Sequence, residues 1–261
     1  MPRSILSATI TLGMLSIPVK LYGATESKDV SFTTLHAGCG TKIKQQRVCP
    51  THDNMVLSGE ETARAFEYGK GSFVEVSDAE LDELPVPSKR VISLDTFVDV
   101  ADVDRVYSEK SYFLEPEGAG GRPYALLHDA LTARRVMGVG KVTLRSKERL
   151  CTIRTYGAGV LVLETLYWPD EVRDLPLFLP ETPTTDQERQ LATSIVDMFT
   201  AGFEPRRYTD EYRAALLGLI EAKRTGSEAP AAPAEPDRQP VADLMAMLKA
   251  TLEAKRAERA A

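Results

Sequence analysis

The sequence has few of the features that mark a membrane protein, a disulfide scaffold or an enzyme. It contains three cysteines in 261 residues, Cys39, Cys49 and Cys151. They are too few and too unevenly placed for a disulfide framework, which points to a reducing compartment. No apolar run approaches the length that crosses a bilayer. Arg3 followed by an apolar stretch imitates a secretion signal. Yet Ala8, Ile10, Leu12 and Met14 alternate with Ser7, Thr9, Thr11 and Gly13, and Pro18 and Lys20 cut the stretch short. A period of two suits a half-buried strand, whereas a signal has a continuous apolar core. A soluble, cytoplasmic protein is expected. There is no phosphate-binding loop, nucleophile elbow or dinucleotide fingerprint. Cys151 lies in a strand pattern beside Leu150 and Ile153, with only His128 left to activate it, so a core residue is expected rather than a nucleophile.

Acidic residues are missing from two stretches. The net charge of -6 argues on its own against a nucleic-acid partner. However, residues 30–52 contain no Asp or Glu and carry Lys42, Lys44 and Arg47. Residues 130–147 are equally acid-free and carry Arg134, Arg135, Lys141, Arg145 and Lys147, with Arg149 and Arg154 close behind. Such segregation gives an acidic protein a local positive field of the kind phosphate contact requires. Lys42 and Lys44 share one side of an extended chain, with Ile43 on the other, which suits a strand that follows a DNA backbone without reading bases. Base stacking by an RNA- or single-strand-binding module would require interleaved aromatics, and residues 39–52 and 130–154 contain none.

The rest of the chain reads as a mainly β core followed by helices. Strand patterns cover residues 4–32, 91–98, 111–114, 140–144, 150–156 and 160–166, spaced as in a barrel or sandwich. Ser77 with Glu80 and Thr185 with Glu188 form capping boxes, Thr209 can cap a further helix, and residues 124–133 read as helical. Apolar residues at helical spacing follow the last two caps: Leu191, Ile195, Met198 and Phe199, then Tyr212, Leu216, Leu219 and Ile220. Residues 225–240 have the Pro/Ala-rich composition of a linker, and residues 241–261 form a short basic amphipathic tail.

Two of the three histidines and two of the three cysteines fall within one polar segment, as His36-x-x-Cys39 and Cys49-x-x-His52. Mirror-image pairs of thiolate and imidazole suit a closed tetrahedral structural zinc site. A metal there would stabilise a segment with little apolar content of its own.

The residues also resemble a known family. I-x-L-G-M-L-S-I-P-V-K-L-Y (residues 10–22), R-V-C (47–49), K-S-Y-F-L-E-P (110–116), P-Y-A-L-L (123–127), L-E-T-L-Y-W-P-D-E-V-R-D (163–174) and D-E-Y-R-A-A-L (210–216) look like bacterial Ku proteins, in order, to about Lys223. The resemblance implies a Ku-type β-barrel over residues 1–185 with a zinc-ribbon-like bridge inserted at about 33–100, and a helical arm over 186–224. It implies a homodimer that closes a ring around the ends of double-stranded DNA, acts in non-homologous end joining near the nucleoid, and recruits an ATP-dependent DNA ligase. Lys42, Lys44 and Arg47 would face the duplex, with Lys20, Arg145, Lys147 and Arg149 as further candidates. Tyr208, Tyr212, Arg213, Leu216, Leu219 and Lys223 would dock the ligase. Where many members carry a second C-x-x-C pair, this sequence has Cys49 and His52, which changes the ligand set.

Overall fold

The computed structural model describes residues 3–84, 90–144, 147–174 and 183–227, together with residue 253. Arg145, most of the expected linker and nearly all of the expected basic tail lie outside the described residues.

Alternating apolar residues build the first hairpin. Strand β1 (Leu6–Leu12) buries Ala8 and Ile10, and β2 (Leu15–Gly23) buries Ile17, Val19 and Leu21. They pair antiparallel from Leu6↔Leu21 to Leu12↔Leu15 across a tight turn at Gly13, whose φ of 57° favours glycine. Met14, expected on the buried side of a longer strand, is fully exposed in that turn because β1 stops at Leu12. Residues 24–34 hold no strand, so the expected strand region ends at Gly23.

A long excursion follows, with β3 (Arg47–Cys49), β4 (Met55–Leu57), β5 (Ala65–Gly69), β6 (Ser72–Glu75) and the short helix α1 (Asp78–Glu83). The Ser77/Glu80 capping box starts α1 as expected. The chain then supplies β7 (Val91–Asp99), β8 (Ser108–Pro116), helix α2 (Gly121–Arg134), β9 (Val136–Leu144), β10 (Lys147–Tyr156) and β11 (Val160–Leu166). Seven of these strands close a barrel in the order β1-β2-β8-β11-β10-β9-β7. All its neighbours pair antiparallel except β7 and β1, which are parallel. Because β7 belongs to this barrel, the inserted bridge ends before Val91 rather than near residue 100.

Closure leaves the barrel sheet without an edge. The inward-facing side chains make one core that includes Ile10, Val19, Leu21, Ile92, Ile153 and Leu163. Helix α2 plugs one end with Tyr124, Leu127 and Leu131. The Tyr124 hydroxyl donates to the Leu114 carbonyl and accepts from the Leu161 amide, both at 2.7 Å, so one buried group ties α2 to β8 and β11. The barrel also depends on a missing side chain: a Cβ at Gly140 would stand 1.8 Å from the Ser93 carbonyl oxygen.

The chain divides into two compact units, residues 1–28 with 33–175, and residues 29–32 with 176–261. The second contains α3 (Asp186–Phe199) and α4 (Glu211–Thr225). Thr185 and Glu188 cap α3 reciprocally as expected. Helix α4 is capped by Asp210, whose carboxylate accepts from the Arg213 amide at 2.8 Å, one residue later than the expected Thr209. Among the described residues no helix is long and apolar enough to cross a membrane.

Candidate nucleic-acid interface

No residue from 33 to 84 is buried. The two small sheets of this segment are two-stranded hairpins, and both faces of each lie open. An isolated two-stranded hairpin has little stability of its own, and neither hairpin has a core to add to it. Its cationic stretch begins with a tight loop. Leu35 and Lys42 form an isolated antiparallel bridge, and the His36 amide donates to the Thr41 carbonyl at 2.8 Å. Lys42 and Lys44 are therefore exposed beside a turn, and the regular strand begins only at Arg47. The Arg47 guanidinium donates to the Thr62 hydroxyl at 3.3 Å.

Arg47 lines a cleft of about 840 Å³ with Arg64 and with Glu75, Asp78 and Glu80. Arg64 is held by Asp78 at 2.8 Å. The composition alone did not single out Arg64, because it lies in an acid-rich part of the sequence. Arg47 and Arg64 thus share this cleft with acids, whereas Lys42 and Lys44 lie in the acid-free stretch. Phe66, Tyr68 and Phe73 are exposed on the β5–β6 hairpin, beside Glu67 and Glu75.

Of the further cationic candidates, Lys20, Lys147 and Arg149 lie on strands of the barrel. Lys20 lies on the outer face of β2, between the buried Val19 and Leu21, and pairs with Glu117 at 3.1 Å. That hydrogen-bonded pairing holds its ammonium above the ordinary pKa. Arg149 lies 2.6 Å from Glu109, and both side chains are about a quarter exposed. It lines the inside of the barrel mouth with Lys147 and with Lys110, which the sequence reading passed over.

The four expected metal ligands come together as two pairs. His36 Nδ1 stands 3.1 Å from Cys39 Sγ, and His52 Nδ1 stands 3.3 Å from Cys49 Sγ. Each pair sits on a knuckle closed by its own backbone bonds: the Gly40 amide to the His36 carbonyl at 2.8 Å, and the Met55 amide to the His52 carbonyl at 2.8 Å. A shared zinc holds thiolate and imidazole at about this spacing. Yet among the described residues no three His, Cys, Asp or Glu side chains gather closely enough to hold a metal ion. The donor types and the spacing within each pair suit zinc; the separation of the pairs does not.

Cys151 is fully buried in the barrel. Burial first, and the Asp95 charge second, push its thiol up to about 12, which removes it as a nucleophile. In the second unit, Tyr208 and Tyr212 are exposed, and the Tyr208 ring stacks on Phe203 with centroids 6.2 Å apart. Arg213 lies 3.8 Å from Asp210, Lys223 is exposed, and Leu216 and Leu219 are half-buried.

The Ku70/Ku80 beta-barrel domain matches residues 11–193, a span that holds both the closed barrel and the inserted ribbon. The chain belongs to the Ku family. A "Non-homologous end joining protein Ku" of Mycobacterium tuberculosis is 35% identical, covering 97% of this chain and 96% of its own length. That of Bacillus subtilis is 35% identical, covering 94% and 80%. That of Symbiobacterium thermophilum is 38% identical over 99% of this chain. Here the match spans 65% of the relative's length.

Proposed function

We propose that this Ku-family chain binds the ends of double-stranded DNA without sequence preference, as a ring-shaped homodimer, and is not an enzyme. The observation that carries the reading is the ribbon of residues 33–84, which has no buried residue and concentrates Lys42, Lys44 and Arg47 in an acid-free stretch. Phosphates are the partner such cations suit, and a ribbon without a core is free to follow a backbone. The relatives' shared name supports a role in end joining. Recruitment of an ATP-dependent ligase and bridging of two ends belong to the same proposal. For the ligase, the exposed Tyr208 and Tyr212, with Arg213, Leu216, Leu219 and Lys223, form the docking element on α4 and the segment before it.

The test is binding to linear duplexes of unrelated sequence over a range of salt. The affinities are expected to be equal among sequences and to fall steeply with salt. Reversing Lys42, Lys44 and Arg47 to Glu should weaken all of them alike. A sequence-dependent affinity, or a reversed ribbon that binds as before, would contradict the proposal.

One feature favours a zinc-stabilised RNA- or single-strand-binding module instead, namely the exposed Phe66, Tyr68 and Phe73. They flank Lys70, but acids outnumber cations around them, with Glu67, Glu75, Asp78 and Glu80 against Arg64 and Lys70; that excess disfavours a phosphate backbone, so the duplex reading is preferred. A structural zinc rests on the donor types and the spacing within each pair, and requires the two knuckles to close on each other. Metal analysis of the purified protein decides it, and a folded protein without stoichiometric zinc would refute it.

A further inference from the structure

The barrel end opposite α2 differs from the rest of the core. The first residues of β8 and β10 meet there the last residue of β9 and the start of β1. Inward positions of a small barrel normally carry apolar side chains. Here Lys110 shares its side of β8 with Tyr112 and the buried Leu114. Lys147 and Arg149 share their side of β10 with the buried Cys151 and Ile153. A register shift between β8 and β11 takes the pairing from Thr165↔Lys110 to Leu166↔Ser108 and leaves Glu109 as the extra residue. Bulges re-aim side chains. This one delivers the Glu109 carboxylate to Arg149 at 2.6 Å and to the Thr165 hydroxyl, which donates at 3.2 Å.

The result is a cavity of about 410 Å³ with two kinds of wall. Its apolar side is Leu6, Leu144 and the Tyr112 ring, and its charged side is Lys110, Lys147 and Arg149. Glu109 neutralises Arg149. Lys110 Nζ lies 5.8 Å from the Tyr112 ring centroid. Among the described residues neither Lys110 nor Lys147 has an ion pair. Two uncompensated cations therefore face an aromatic and aliphatic wall inside a concave site. A surface that tracks a duplex backbone is exposed and needs no apolar wall. A pocket of this size with a few convergent charges suits one small ligand, and barrel mouths are favoured places for such sites.

We propose that the barrel mouth binds a single nucleotide, with its phosphate on Lys110 and Lys147 and its base against Tyr112, Leu6 and Leu144. The nucleotide is either free in solution or the unpaired terminal residue of a DNA strand. Only the second source rests on the duplex-binding proposal.

The test uses the full chain, its Lys110→Ala/Lys147→Ala double variant and its Glu109→Gln variant. Two probes separate the sources: dAMP alone, and a duplex with one unpaired 3′ nucleotide compared with its blunt counterpart. If the source is free, dAMP binds saturably, about tenfold or more weaker in the double variant, which is the loss expected for one charge-assisted hydrogen bond. Glu109→Gln acts in the opposite direction by releasing Arg149. If the source is a DNA terminus, dAMP does not bind but the unpaired end binds more tightly than the blunt one. The double variant then loses that advantage. The proposal is overturned if neither probe responds to either substitution, or if inorganic phosphate displaces dAMP at equal concentration. Failure of the duplex reading looks different, because the unsubstituted chain would then not hold the blunt duplex.

Discussion

Tyr124 shows how much of the fold can hang on one polar atom. Its hydroxyl satisfies a carbonyl on β8 and an amide on β11 within the buried end of the barrel. Tyr124→Phe leaves Leu114 O and Leu161 N without that partner, and a cost of about 1–3 kcal/mol is expected in urea unfolding. A change under about 0.5 kcal/mol would show that the two strands satisfy themselves without it. Gly140→Ala should be as damaging for a steric reason. The new Cβ meets the Ser93 carbonyl at 1.8 Å, and overpacking of this kind costs about 1–3 kcal/mol. Cys151 should resist thiol reagents in the native protein, because burial keeps its thiol protonated to about pH 12. Rapid labelling without unfolding would contradict its place in the core. The expectation that Cys151 is a core residue followed from its neighbours Leu150 and Ile153. The role of Tyr124 did not, because nothing local marks a hydroxyl that bonds to residues 10 and 37 positions away.

At the scale of elements, legibility followed burial. β11 lies at the expected residues because Val160–Leu166 buries five of its seven residues. The two capping boxes also stand where local chemistry puts them. β8 and β10 begin three residues earlier than their patterns suggest, at Ser108 and Lys147. Those extra residues carry inward-facing charge, so the polar pattern that hid the strand ends is the same feature that makes the mouth distinctive. The hairpins of the ribbon left no periodic signal because none of their residues is buried. The four His and Cys positions were legible as pairs, but their separation was not, since it depends on two independently closed knuckles. For the ribbon, reversing Lys42, Lys44 and Arg47 should flatten the dependence of log affinity on log salt by roughly 0.9 for each cation that touches a phosphate. An unchanged slope would remove the ribbon from the interface.

At the scale of the molecule, an acidic chain can hold DNA only if its charge is segregated and its binding geometry supplies what net charge does not. The closed barrel is a rigid base without open edges, and the uncovered ribbon inserted between β2 and β7 is the part left free to engage a partner. If two chains close these ribbons into a ring, entry requires a terminus. The most direct measurement compares binding to linear and covalently closed circular duplexes of the same sequence at several salt concentrations. The account predicts tight binding to the linear form and, at moderate salt, little to the circle. Equal affinity for the two forms would contradict it.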